Sequence, residues 1–95
     1  MRRRYLVCYD ISDPRRLRRV AQACEGFGIR FQFSVFECLL DGLGKQRLHS
    51  RLSDIINHDV DQVLLVDIGP EEGRSDERYE SLGRPPPVRT RVTIV

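Results

Sequence analysis

Asp10 stands at the end of an apolar, β-rich run, Tyr5-Leu6-Val7-Cys8-Tyr9, and Arg15, Arg16, Arg18 and Arg19 follow within nine residues. A carboxylate oxygen is a hard donor suited to Mg²⁺, and the planar fork of a guanidinium suits phosphate. An acid at a strand end beside a cationic helix is the equipment of metal-assisted phosphodiester chemistry. The architectural reading of Asp10 is a second cap for the helix that follows. Asp13 already occupies the capping position and Ser12 is a substitute, which leaves Asp10 without an obvious structural task. One carboxylate alone is a poor Mg²⁺ site, because the ion binds through one or two carboxylates together with substrate phosphate. A twofold dimer would bring two copies of Asp10 together, and both readings stay open on the residues alone.

The four helix arginines have a plain reading as a solvated face. Against it, like charges three and four residues apart repel, and Glu25 is the local acid that offers relief. That repulsion points to an anionic partner, and a phosphate backbone held without reading of sequence is the natural one. Arg30, Gln32 and Ser34 share one strand face that either contacts phosphate and ribose or, the weightier reading, is simply solvated. Of Phe31, Phe33 and Phe36, core packing accounts for at least two, and base stacking is the alternative use. His49 and His58 have no partner at metal-ligand or triad spacing, and the chain has neither a glycine-rich phosphate loop nor a nucleophile elbow.

The elements that must position these residues follow from periodicity. Tyr5 to Asp10 is apolar at both parities, as in a central strand covered on both faces. Asp13-Pro14 reads as N-cap and first helical residue. Leu17, Val20, Ala21, Cys24 and Phe27 then form one buried stripe, ended by Gly26 or Gly28. From Ile29 to Leu40 the alternation changes phase near Ser34, which predicts a tight reversal or bulge between two strands. Asp41-Gly42-Leu43-Gly44 reads as a turn, and a second helix follows with Leu48, Leu52, Ile55 and Ile56 on one face. Val63 to Ile68 is a buried strand. Residues 71–87, charged and with three consecutive prolines, read as a flexible linker, and 88–95 as a late strand. The order predicts an α+β, ferredoxin-like βαββαβ domain over residues 1–70 with an appended C-terminal strand. An open sheet face on so short a chain calls for a partner.

Composition narrows the class. The chain has 95 residues and a net charge of +2, unevenly spread: eight arginines oppose three acids in residues 1–34, and three bases oppose eight acids in residues 35–72. Of its sixteen basic residues fifteen are arginine. No apolar run approaches the roughly 18 residues of a membrane span, and the basic N-terminus lacks a signal-peptide core behind it, so a cytoplasmic protein is expected. Cys8, Cys24 and Cys38 are odd in number and lie within apolar patterns, as core thiols in a reducing compartment do.

Two stretches together resemble a known family: Tyr9-Asp10-Ile11-Ser12-Asp13 with the arginine-rich helix to Val20, and Phe27-Gly28-Ile29-Arg30-Phe31-Gln32-Phe33-Ser34-Val35-Phe36-Glu37-Cys38. The chain is similar over about residues 3–69 to the CRISPR-associated protein 2 family, the small subunit of CRISPR adaptation. The resemblance implies a ferredoxin-like homodimer in which the final strand, here 88–95, pairs with the partner's sheet. It implies a Mg²⁺ shared near the twofold by two copies of Asp10. It also implies a metal-dependent endonuclease on RNA or double-stranded DNA, or a DNA-binding scaffold that joins integrase subunits during spacer acquisition. A toxin-like messenger-RNA interferase on the same fold is a further alternative. Tyr9, Arg19, Arg30, Ser34 and Phe36 match family positions tied to the nuclease site or its substrate. Phe33 departs from the pattern, standing where a basic or polar residue is common.

Overall fold

The computed structural model describes residues 1–72 and 78–87. Six elements succeed one another: β1 (Arg3–Asp10), α1 (Pro14–Glu25), β2 (Gly28–Gln32), β3 (Val35–Leu40), α2 (Gly42–Ile55) and β4 (Gln62–Pro70). The four strands form one antiparallel sheet in the order β2-β3-β1-β4, the ferredoxin-like arrangement. The expected late strand at 88–95 lies outside the described residues.

Alternation along β1 decides what each face holds. Tyr5, Val7 and Tyr9 are buried on the helix side with Val20, Ala23 and Cys24 of α1, Phe36 and Cys38 of β3, and Leu48 and Leu52 of α2. Each such Val or Leu removed from water contributes about 1.5–3 kcal/mol. Leu6 and Cys8 point to the other face and are half-buried. The three cysteines are free thiols, Cys24 and Cys38 buried and Cys8 half-buried.

Local chemistry sets the boundaries. Asp13 caps α1, its Oδ2 accepting the Arg16 backbone N–H at 2.9 Å, and Pro14 opens the helix. The stretch expected as a turn at Asp41–Gly44 is instead the start of α2: Asp41 is the N-cap and its Oδ1 accepts the Gly44 N–H at 2.7 Å. The cap satisfies a helix-end donor, which lets two glycines sit in the first turn despite their low propensity. Gly28 is demanded by close approach, since a Cβ there would lie 2.1 Å from the Glu37 carbonyl oxygen.

β4 corrects a second expectation. Read as a buried strand, it lies at the edge of the sheet among the described residues, and Val63 and Leu65 pack inward while Leu64 and Val66 are 49% and 43% exposed. Part of the stretch expected to be a linker lies against the sheet: Tyr79 meets Phe31 edge-on with ring centroids 5.4 Å apart, and residues 79–82 and 84–87 line a hollow beside Leu6 and Val35. The same face holds Glu37, 1% exposed, with Arg4 Nη1 3.3 Å from its Oε1.

Candidate nucleic-acid site

One end of the sheet collects the residues of interest. The Tyr9 backbone N–H donates to the Ser34 carbonyl at 3.0 Å, which draws the β2–β3 turn against the end of β1. Asp10 follows, paired in register with Gln62 at the start of β4. By alternation it shares the face of Leu6 and Cys8, opposite to Tyr9. Its carboxylate is exposed and makes no hydrogen bond or ion pair among the described residues.

The loop from Asp10 to α1 is tied down by an ion pair. Arg16 donates to Asp61 through Nε to Oδ2 at 2.7 Å and through Nη2 to Oδ1 at 3.2 Å, a two-point contact. The Asp61 side chain has no exposed surface and also accepts the Asn57 N–H at 2.8 Å. The Arg16 guanidinium, then that backbone N–H, hold the Asp61 carboxyl below its usual range. Arg16, expected among the phosphate-facing residues, is therefore half-buried and committed to Asp61. Arg15, Arg18 and Arg19 are exposed and have no acidic or hydrogen-bonding partner among the described residues. The repulsion read from the sequence is thus uncompensated at these three positions.

Tyr9, Arg30, Ser34 and Phe36 form a support cluster. Phe36 has no exposed surface, so its ring is closed to a base, contrary to its place among the expected nucleic-acid contacts. It lies 6.3 Å from the Tyr9 ring, and the Arg30 guanidinium sits 5.2 Å from its centroid. The Tyr9 hydroxyl donates to the Phe33 carbonyl at 3.3 Å, and Arg30 Nη1 donates to the same oxygen at 3.4 Å. Burial pushes the Tyr9 phenol up, with Arg30 opposing, which keeps the hydroxyl protonated and a donor near neutrality. Tyr9 therefore acts in one chain by positioning the turn. Ser34 serves through its carbonyl, while Arg30 keeps a solvent-facing guanidinium near Glu25, at 4.0 Å.

Asp61 and the packing of Tyr79 on Phe31 escaped the sequence reading. Asp61 is one of several acids in a charged loop, and no local pattern singles it out as the partner of a residue 45 positions away. As for a metal, no cluster of three or more His, Cys, Asp or Glu able to hold one occurs among the described residues. Asp10 offers a hard oxygen donor with no competing partner among the described residues, which fits half of a Mg²⁺ site. No helix among the described residues is long and apolar enough to cross a membrane.

Known proteins resemble this chain in sequence and in fold. The chain is 44% identical over 80 residues to CRISPR-associated endoribonuclease Cas2 1 of Rhodospirillum rubrum, covering 84% of this chain and 78% of that protein. It is 43% identical over 68 residues to CRISPR-associated endoribonuclease Cas2 of Geobacter sulfurreducens, covering 72% of each. Among solved structures, Streptococcus pyogenes Cas2 superposes with a TM-score of 0.75 at 34% identity, covering 84% of this chain and 99% of that one. The family described as CRISPR associated protein Cas2 matches residues 1–75, and the chain belongs to it.

Proposed function

We propose that this chain is an endonuclease of CRISPR adaptation that works as a homodimer on a nucleic-acid phosphodiester. The observation that carries the reading is Asp10: an exposed carboxylate at a central strand end, without a partner among the described residues, beside a loop fixed by the Arg16–Asp61 pair. Relatives at 43–44% identity are named endoribonucleases, and one from Halalkalibacterium halodurans, at 35% identity, is named an endonuclease. The place of β4 at the edge of the described sheet and the half-exposed Leu64 and Val66 favour a second copy against the part of that face which residues 79–87 leave uncovered, and it would supply the second Asp10.

The two Asp10 carboxylates would hold a Mg²⁺, which when bound neutralises phosphate charge and lowers the pKa of its water. This chain's own residues do the rest. Arg15, Arg18 and Arg19 hold the phosphate backbone, Arg30 reaches it from the rim of the β2–β3 turn, and the protonated Tyr9 hydroxyl fixes that turn. Cleavage of labelled single-stranded RNA and double-stranded DNA by wild type and Asp10→Ala, with Mg²⁺ and with chelator, tests the reading. Cutting that needs both Asp10 and Mg²⁺ is expected; equal cutting by both proteins would refute it.

A second reading is a DNA-binding scaffold that bridges integrase subunits without cutting. Three uncompensated arginines on one helix favour it, since they bind phosphate whether or not Asp10 acts. It predicts spacer acquisition that survives Asp10→Ala and fails on replacement of Arg15, Arg18 and Arg19.

A further inference from the structure

Phe33 is 72% exposed, and nothing in the core explains an aromatic ring there. A loose aromatic on a turn would mean little, but this one is held. Its carbonyl accepts from both the Tyr9 hydroxyl and Arg30 Nη1, so the backbone that carries the ring is fixed on two sides. The ring borders a shallow groove between α1 and the β2–β3 turn, with Leu17 and Ala21 on the apolar side. Arg18 and Arg30 line the same groove, Arg18 without a partner among the described residues and Arg30 steadied over Phe36. Gln22 adds an amide that both donates and accepts, and Glu25 is the one acid, 4.0 Å from Arg30.

We propose that this groove takes an unpaired nucleobase, stacked on Phe33, with its flanking phosphates on Arg18 and Arg30. An exposed aromatic ring on a held backbone, next to two cations, matches a flat, uncharged ring joined to an anionic backbone, the combination that single-stranded nucleic acid presents. A neutral or basic peptide would match the ring but not the charge, and an acidic one lacks the flat ring next to each anion that a nucleotide carries. A base within a continuous duplex is excluded because both of its faces are covered by stacking. The inference rests on the nucleic-acid reading above and adds to it a residue, Phe33, and the groove in which it receives one unpaired base of RNA or DNA.

The test uses the full chain, as wild type, Phe33→Ala and Phe33→Tyr, titrated by fluorescence anisotropy. The probes are a single-stranded RNA, a single-stranded DNA of the same sequence, and a duplex closed by hairpin loops that sit well outside the binding length. Phe33→Ala is expected to weaken binding of at least one single strand roughly ten- to hundredfold. It should leave the closed duplex within about twofold, while Phe33→Tyr keeps near wild-type affinity for both. A 2-aminopurine in the single strand should be quenched by wild type and not by Phe33→Ala. Whichever single strand responds identifies the source of the base. Unchanged single-strand binding by Phe33→Ala overturns the proposal, and so does an equal loss on single strand and closed duplex. Unchanged binding joined to altered self-association on sedimentation would assign the ring to a protein contact instead. Wild type that binds none of the probes would refute the nucleic-acid reading itself, a result distinct from failure of the Phe33 site.

Discussion

Replacement of Phe36 separates support from contact. The ring is fully buried between Tyr9 and the Arg30 guanidinium, so Phe36→Ala opens a cavity that costs about 3–5 kcal/mol. For a domain of this size total stability is about 5–15 kcal/mol, so that variant tests folding and little else. Phe36→Leu is the informative change. It keeps most of the volume at under about 1.5 kcal/mol and gives up the aromatic pair with Tyr9, about 0.5–1.5 kcal/mol more. Together these come to about 2 kcal/mol, or a fall in Tm of roughly 8–16 °C at about 4–8 °C per kcal/mol.

Binding should change far less. Arg30 loses the ring beneath it, an interaction of about 0.5–1 kcal/mol at an exposed site, but keeps its bond to the Phe33 carbonyl. Affinity for nucleic acid should therefore fall about two- to fivefold. Circular dichroism melting and anisotropy titration well below the Tm measure the two effects on one preparation. A fiftyfold loss of binding with an unchanged Tm would mean that the ring itself touches the ligand, and the argument from burial would be wrong.

Salt dependence tests the helix cations: replacing Arg15, Arg18 and Arg19 by Gln should reduce the slope of log affinity against log salt by roughly 2.7 per chain on duplex DNA, whereas an unchanged slope would remove these residues from the phosphate contacts. Because the Asp61 carboxyl is held below its ordinary 3.8, its contribution is complete above that value and is lost as pH falls beneath it. Asp61→Asn should accordingly lower the Tm at pH 7 and flatten the acid limb of Tm against pH, and an acid limb as steep as that of wild type would refute the assignment. Burial, then the neighbouring Cys38, pushes the Cys24 thiol up to about 12. Stability from that buried neutral thiol is whole below pH 9 and lost as pH rises toward about 12, so Cys24→Ala should flatten the alkaline limb, as melts between pH 8 and 11 would show.

What the sequence could reveal depended on how local each cause was. The start of α1 was legible because cap and first residue, Asp13 and Pro14, are adjacent in the chain and the apolar stripe behind them has helical spacing. The reversal near Ser34 was legible because alternation changes phase there. The start of α2 was not, because Gly42 and Gly44 carry a turn signal that the Asp41 cap overrides. Nor was the exposure of Leu64 and Val66, since a run of apolar residues reads the same in a central strand and at an edge, and only the order β2-β3-β1-β4 places it. Among the phenylalanines the parity on each side of the turn puts Phe36 toward the helices and Phe31 on the opposite face, while Phe33 sits in the turn and escapes both.

The site divides the same way. Asp10 and the exposed Arg15, Arg18 and Arg19 could be singled out from one short stretch of sequence, but the commitment of Arg16 could not, because its partner enters 45 residues later. That commitment explains how an exposed acid can have a defined place. The Asp10–Gln62 register fixes the end of β1 against the start of β4, and the Arg16–Asp61 pair fixes the first turn of α1 to the residue just before β4. The three residues between Asp10 and α1 are thus anchored at both ends to one short stretch of chain, residues 61–62. A loop so bracketed loses little further freedom when a ligand binds, so the backbone that carries Asp10 is in place beforehand. Arg16 thus serves Asp10 indirectly, by fixing the loop that follows it to Asp61.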